Sequence, residues 1–307
     1  MPLDAAKALA AEPHSREIAW TPKDVLLYHL GIGAGRPATD PRELRYTLES
    51  RLHVLPSFAT VAGAGAPGVI EALSVPGVDV DLARVLHAGQ SLRLHRPVPP
   101  EGRAAVTSRL TAAYDKGTAA LLVLRTDAAD ADGPLWTEEA RVFVRGEGGW
   151  SGDPGPTHRP TPPGEPSDAP SDAPTDSSSY RTVELPVREE QALLYRLSGD
   201  LNPLHADPAF ARAAGFDRPV LHGLCTYGMT LKAVVDTLLD GDVTRVRSYD
   251  ARFAGVAYPG ETLRVRMRRE RAGAAAPPGA DVPVRVEVTA VERGDAPVLT
   301  ETVVGCG

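Results

Sequence analysis

The sequence predicts an α+β fold in which one structural unit occurs twice. Two landmark motifs recur in the same order, with 27 residues from Tyr28 to Leu55 in the first half and 26 from Tyr195 to Leu221 in the second. A recurrence at nearly constant spacing indicates an internal duplication. A helical pattern followed by strand patterns indicates a helix with an antiparallel sheet. The motifs are Leu26-Leu27-Tyr28-His29-Leu30-Gly31 with Leu193-Leu194-Tyr195-Arg196-Leu197-Ser198, and Val54-Leu55-Pro56-Ser57-Phe58 with Val220-Leu221-His222-Gly223-Leu224.

The second unit shows these patterns most clearly. Apolar residues at helical spacing predict one long helix with a buried face. Three later segments alternate in the two-residue period of a strand, and Tyr258-Pro259-Gly260-Glu261 predicts a turn. The helix positions are Leu224, Tyr227, Leu231, Val234, Val235 and Leu238; the strand positions are Leu263, Val265 and Met267, then Val284, Val286 and Val288, then Val298, Thr300, Thr302 and Val304.

The first unit carries weaker versions of the same strand signals. Leu92 and Leu94, then residues 119–124, then Val142 and Val144 predict strands. Pro99-Pro100-Glu101-Gly102 matches the turn of the second unit.

Residues 147–179 separate the two units. This segment is rich in Pro, Ser, Asp and Gly and has no apolar periodicity, so burial cannot offset the entropy lost on ordering it. It is predicted to be a flexible linker, with a docking motif as the alternative. The predicted division is therefore 1–146, 147–179 and 180–307.

Bulk composition excludes several classes of protein. The 307 residues carry a net charge of −7 without a long basic run, which argues against nucleic acid or an anionic membrane as the main partner. The N-terminus has no apolar core of signal-peptide length, and no run approaches a transmembrane span. The two cysteines fit a reducing compartment better than a disulfide scaffold. We expect a soluble, cytoplasmic protein.

Asp200, Asn202 and His205 form the strongest candidate for chemistry. At pH 7 an ordinary Asp is a carboxylate and an ordinary His is mostly neutral, so the two could hold a water molecule and move its protons. Asn202 does not titrate and is suited to orienting a partner. The alternative is an Asx-turn with a surface histidine, which is common in loops.

The neighbouring residues divide between chemistry and structure. An N–H at Gly223, before the predicted helix, could stabilise a developing oxyanion, or the residue could be a simple loop glycine. Asp207 followed by Pro208 predicts a helix N-cap and Pro at the first helical position. His222 is expected only to shape the turn, and Cys225 to be a small buried residue. No metal site is predicted, since no third ligand follows His205 and Asp207 at metal-binding spacing.

The motif Asp200-x-Asn202-x-x-His205, followed by Val220-Leu221-His222-Gly223, resembles the hydratase 2 family, the MaoC-like R-specific enoyl-CoA hydratases. The likeness is to the two-repeat form, as in the hydratase domain of peroxisomal multifunctional enzyme type 2. It implies a double hot-dog fold, with two hot-dog units in one chain. It also implies that Asp200 and His205 are the catalytic pair and that Gly223 stabilises the enolate. The first unit has Gly31-Ile32-Gly33-Ala34-Gly35 where the pair would fall and is expected to be catalytically silent.

The same resemblance implies the residues that bind the substrate. In the first unit they are His87, Ala88 and Lys116, although the family often has Gly at the position of Ala88. In the second unit they are Phe253 and the residues between the catalytic pair, namely Leu201, Pro203 and Leu204. From the sequence alone, His87 could equally be a loop residue, Lys116 a turn charge and Phe253 a core aromatic residue.

The activity that the resemblance implies is the reversible syn hydration of trans-2-enoyl-CoA thioesters to (3R)-3-hydroxyacyl-CoA. No metal or redox cofactor is expected, and CoA counts as part of the substrate. The family implies a homodimer. One alternative is an acyl-carrier-protein dehydratase or a thioesterase on the same fold. A second is an acyl-CoA-binding subunit without catalysis.

Overall fold

The computed structural model describes residues 3–63, 73, 75–80, 84–156, 180–270 and 282–307. Ten strands form one antiparallel sheet, so the predicted α+β class is confirmed. The strands are β1 His14–Trp20, β2 Val85–Leu94, β3 Gly102–Asp115, β4 Ala119–Asp130, β5 Gly133–Arg145, β6 Arg181–Pro186, β7 Val246–Phe253, β8 Thr262–Arg269, β9 Val282–Ala290 and β10 Ala296–Cys306. The α-helices are α1 Ala5–Leu9, α2 Pro22–Gly31, α3 Pro41–Thr47, α4 Gln191–Tyr195, α5 Pro208–Ala213 and α6 Gly223–Leu238.

The strand order repeats the internal duplication of the sequence. Across the sheet it is β1-β3-β4-β5-β2-β7-β10-β9-β8-β6. Read outward from the centre, the first half runs second, fifth, fourth, third and first strand, and the second half follows the same order. The two halves are therefore copies of one unit, joined edge to edge by β2 and β7.

The junction between the halves depends on a glycine, Gly89, in β2. Arg141 of β5 reaches across β2 and donates from Nη2 to Asp250 Oδ1 and to the carbonyl of Ala251, both at 2.9 Å. A Cβ on Gly89 would lie 2.6 Å from Arg141 Nε and 2.9 Å from the Ala251 oxygen. Glycine thus leaves the space in which a side chain of the first unit binds the second.

The long helix of the second unit forms as its periodicity predicts. In α6 the predicted positions Tyr227, Leu231, Val234 and Val235 are all fully buried, and the helix packs against β6, β7 and β8. The corresponding segment of the first unit begins with a 3₁₀ helix over Pro56–Val61. Residues 64–72, which follow it, lie outside the described residues.

The segment after β5 contacts the first unit for at least ten residues. Asp115 Oδ1 accepts the N–H of Gly149 at 2.8 Å, and the N–H of Asp115 donates to the carbonyl of Asp153 at 2.8 Å. The rest of the predicted linker, from residue 157 to 179, lies outside the described residues. Among the helices that the structure describes, none is long and apolar enough to cross a lipid bilayer.

Candidate active site

The loop that carries Asp200 is shaped by short polar side chains. Gly199 has a φ of 122°, which favours glycine, and it ends a 3₁₀ turn. The backbone N–H of Asn202 donates to Asp200 Oδ1 at 3.1 Å, and Asn202 Oδ1 accepts the N–H of Leu204 at 3.0 Å. The Asn202 side chain therefore starts the 3₁₀ helix Pro203–His205, while its backbone amide orients the Asp200 carboxylate.

His205 is buried and holds one tautomer. Its Nδ1–H donates to the carbonyl of Val220 at 2.8 Å, which leaves the Nε2 lone pair free in the neutral ring. Nε2 lies 3.8 Å from Asp200 Oδ2. The His205 side chain is 10% exposed and that of Asp200 is 44% exposed. A buried base thus lies next to a carboxylate that solvent can reach.

His222 contacts both members of the pair. Its Nε2–H donates to the backbone carbonyl of Asp200 at 3.1 Å, and its ring stacks on His205 with centroids 3.6 Å apart. On its other side, the Tyr195 ring lies 4.9 Å away. From the sequence, His222 was predicted only to shape a turn, and this contact with both residues was not predicted. The available signal was its position directly before Gly223 in the motif.

Burial keeps both histidines neutral. It lowers the pKa of His205, and the nearby Asp200 charge opposes this only in part. It lowers the pKa of His222 to about 3, with the neighbouring His205 adding to the effect. At pH 7 the Nε2 atom of His205 is therefore able to accept a proton.

The N-terminus of α6 faces an aromatic side chain. The helix begins at Gly223 with His222 as its N-cap, and no side chain caps the first turn. The first N–H groups of a helix lack intrahelical partners and carry partial positive charge. A Cβ on Gly223 would lie 3.6 Å from the Phe253 ring. An oxygen atom placed here would meet a backbone donor beside an apolar wall.

The first unit contributes to the site of the second through β2. His87 packs edge-on against Phe253 with ring centroids 4.9 Å apart. Burial lowers the pKa of His87 to about 4, and the negative charge of Asp200 acts on it in the opposite direction. The register of β2 against β5 shifts between His87 and Gly89, which makes Ala88 the extra residue of a bulge. Bulges commonly re-aim side chains next to active sites.

The remaining predicted contact residues belong to the Asp200 loop and to a turn of the first unit. Leu201 is 59% exposed, Pro203 is exposed and Leu204 is half-buried, all on the loop between Asp200 and His205. Lys116 lies in the turn between β3 and β4, where its ammonium donates to the carbonyls of Pro154 and Pro156. Among the described residues, no hydrogen bond or ion pair joins Lys116 to Asp200.

The side chains of Asp200, His205 and His222 are close enough together to be considered as ligands of one metal ion. One ligand atom from each lies within 4.8 Å of the others. However, His205 Nδ1 and His222 Nε2 already face backbone carbonyls. The stacked rings also lie in nearly parallel planes, 25° apart, so the two remaining nitrogens could share an ion only if a ring turned. The arrangement fits proton transfer better than metal binding.

Asp207 and Cys225 match their sequence predictions. Asp207 caps α5 by accepting the N–H groups of Ala209 and Phe210. Cys225 is fully buried, which raises the pKa of its thiol and leaves it a small apolar residue. On β8, Arg264 binds Glu184 and Asp295, and Arg266 binds Glu287, so these cations are paired on the sheet surface.

Two family models match the chain, one for each unit. Residues 19–146 match the MFE-2 hydratase 2 N-terminal domain, and residues 170–293 match the MaoC like domain. Enoyl-CoA hydratase ChsH3 of Mycobacterium tuberculosis is 46% identical over 271 residues, covering 88% of this chain and 91% of that protein.

Solved structures agree with the observed architecture. A MaoC-like dehydratase from Phytophthora capsici superimposes with a TM-score of 0.79 at 27% identity, covering 99% of this chain and 98% of that one. A Mycobacterium tuberculosis protein described as a double hotdog fold has a TM-score of 0.60 at 15% identity, covering 99% and 98%. The second likeness concerns the fold alone, and the predicted double hot-dog is confirmed.

Proposed function

The chain belongs to the MaoC-like hydratase 2 family, and we propose from this premise that it is an R-specific enoyl-CoA hydratase. Its substrates are trans-2-enoyl-CoA thioesters and its products (3R)-3-hydroxyacyl-CoA thioesters. The observation that carries the proposal is the Asp200–His205 pair, with a neutral His205 whose free Nε2 lies 3.8 Å from the carboxylate.

In this proposal the reaction is divided among three groups. Asp200 and His205 hold a water molecule, and His205 Nε2 takes one of its protons as the oxygen bonds to C3. The π electrons move toward the thioester, and the Gly223 N–H stabilises the resulting enolate oxygen. The pair then returns a proton to C2, so the sum is one water added to one double bond. These proton transfers require no metal or redox cofactor.

The two units have different roles in this proposal. The second unit performs the chemistry, and the first unit is catalytically silent because residues 31–36 offer neither carboxylate nor imidazole. We propose that His87, Ala88 and Phe253 contact the acyl-CoA beside the pair, together with Leu201, Pro203 and Leu204 of the loop. Lys116 is proposed to meet the CoA moiety, and residues beyond 156 to link the units.

The setting of the enzyme is a further part of the proposal. Cys225 and Cys306 are both buried and neither forms a disulfide, which supports a reducing compartment such as the cytoplasm. The exposed side chains of Leu193, Leu197 and Leu201 support self-association, and we propose a homodimer that light scattering would test.

The test is the loss of enoyl-thioester absorbance in two single variants. Asp200→Asn and His205→Ala are each expected to lower kcat by about two decades or more, the usual scale for a general acid or base. Asp207→Asn is a matched control in the same loop, because Asn also caps helices well and should preserve α5.

Near-normal turnover in either catalytic variant would contradict the proposal. Thiol release from saturated acyl-CoA by the wild-type protein would indicate a thioesterase instead. Saturable binding without loss of absorbance would indicate a binding subunit.

A further inference from the structure

Two polar residues of the silent unit are hydrogen-bonded in series behind His87. Gln90 of β2 is 2% exposed, and its Nε2 donates to Glu138 Oε2 of β5 at 3.0 Å. Its Oε1 faces His87 Nε2 at 3.1 Å. The series Glu138–Gln90–His87 therefore runs from a half-buried carboxyl group of the first unit to the site of the second.

The orientation of the Gln90 amide is set by two acceptors. Besides Glu138, the backbone carbonyl of Ser91 lies 3.4 Å from Gln90 Nε2, and a carbonyl can only accept. With the amide nitrogen on that side, Oε1 must face His87. An acceptor at this position requires His87 to carry its proton on Nε2. The Nδ1 atom of His87 is then left with a lone pair.

The surroundings of Glu138 favour a neutral carboxyl group that remains hydrogen-bonded to Gln90. It lies opposite Leu92, which is buried, in the β2–β5 ladder. Burial raises the pKa of Glu138 to about 8, with Gln90 and Arg16 opposing the rise. A neutral carboxyl group tolerates such an environment and still offers an oxygen to Gln90.

We propose that Gln90 and Glu138 are positioning residues that hold His87 as the Nε2–H tautomer, so that its Nδ1 accepts a hydrogen bond from the acyl-CoA thioester. The donors available on such a ligand are the amide N–H groups of its pantetheine arm. The proposal rests on the function proposed above and gives the silent unit a defined task in substrate binding. It also explains how His87, which is far from the catalytic loop in sequence, keeps a fixed tautomer beside Phe253.

Three variants separate this role from general packing. Gln90→Met keeps the side-chain length and removes both hydrogen bonds, and Glu138→Met removes the acceptor. Glu138→Gln is the conservative variant, since its carbonyl oxygen can still accept from Gln90. Gln191→Met is a control for loss of a buried amide, because Gln191 is fully buried and donates to the carbonyl of Gly31 instead.

The kinetic readout is the division between KM and kcat for a trans-2-enoyl-CoA. Gln90→Met is expected to raise KM about tenfold, the value of one buried hydrogen bond, with kcat little changed. Glu138→Met should act in the same direction, and the double variant should be no worse than Gln90→Met, since both break one series. Glu138→Gln and Gln191→Met should leave KM within about twofold.

The direct readout is the tautomer of His87 in ¹⁵N-histidine-labelled protein without ligand. Long-range ¹H–¹⁵N correlations distinguish Nε2–H from Nδ1–H rings, and the His87 signal is assigned by its loss in His87→Gln. The wild type, Glu138→Gln and Gln191→Met should show the Nε2–H pattern, whereas Gln90→Met should show a mixture.

Either readout can overturn the proposal. A wild-type His87 in the Nδ1–H form would contradict it, and so would an unchanged KM in a folded Gln90→Met protein. If the wild type failed to hydrate any enoyl-CoA, the proposed function would fall, while the tautomer pattern would still decide whether the series positions His87.

Discussion

At the scale of single residues, the site depends on a histidine that burial keeps neutral. The pKa of His205 lies below its ordinary value of 6.5, and protonation would remove the lone pair that accepts a proton from water. The acidic limb of kcat/KM for hydration should therefore have its midpoint below pH 6.5. A pH series of initial rates, taken where tryptophan fluorescence shows a folded protein, checks this. A midpoint at or above 6.5 would contradict the assignment of His205 as the base.

The residues of the site differ in how far sequence could predict them. Asp200, His205 and Gly223 lie in one compact motif, so their proximity was predictable. His87 and Phe253 required the family resemblance, because they come from distant strands that only the fold brings together. His222, Gln90 and Glu138 act through ring stacking and amide orientation, which no spacing in the sequence expresses. Asn202 was predicted to orient the pair; its backbone N–H donates to Asp200 Oδ1, while its side chain accepts the N–H of Leu204.

At the scale of elements, a glycine in α6 allows this helix to pack closely against α2. A Cβ on Gly228 would lie 2.4 Å from Tyr28 Oη and 2.7 Å from Ile32 Cγ2. In an unhindered helix interior, Gly→Ala stabilises by about 1 kcal/mol. Here we expect Gly228→Ala to destabilise by about 1–3 kcal/mol, because the core is overpacked. Urea denaturation of the variant measures this.

The companion variant is Tyr28→Phe, which removes the oxygen nearest to the new methyl group. In the Gly228→Ala background it should recover part of the lost stability, and the double-mutant cycle should show favourable coupling. A stabilising Gly228→Ala substitution would show that α2 and α6 do not require this close approach.

Sequence predicted elements best where one face is fully buried. The alternation in β8 and β9 and the periodicity of α6 match the structure because most of their predicted apolar positions are in the core, with Leu224 and Leu238 of α6 only partly buried. The edge strands β1 and β6 were missed, and each buries few residues. β3 was also missed, since its sequence, rich in Ala and Thr, has a weak apolar signal. It forms a strand because β1 and β4 pair with it on both sides.

At the scale of the whole molecule, buried titratable groups couple stability to pH. Burial lowers the pKa of His29 and His87 to about 4 and that of His222 to about 3. Below pH 6.5 each of these histidines takes up a proton when the protein unfolds. Its contribution to the free energy of unfolding is therefore present above pH 6.5 and is lost as the pH falls to the folded-state pKa. The contribution of Glu138 to stability depends on pH with the opposite sign. Its raised pKa gives a stabilising contribution that is full below 4.5 and lost as the pH rises through about 8.

Between pH 5 and 6 these effects leave a net uptake of about two protons on unfolding, which corresponds to roughly 3 kcal/mol per pH unit. The urea midpoint should therefore fall steeply as the pH decreases from 6.5 to 5, before most carboxylates are protonated. His29→Gln is the matched variant, because both ring nitrogens of His29 are hydrogen-bonded to backbone groups of the silent unit, those of Tyr46 and Leu55. It should be less stable at pH 7 but show a shallower slope, since one proton-binding group is removed. A midpoint that is constant from pH 7 to 5 would mean that these histidines are not held neutral by the fold.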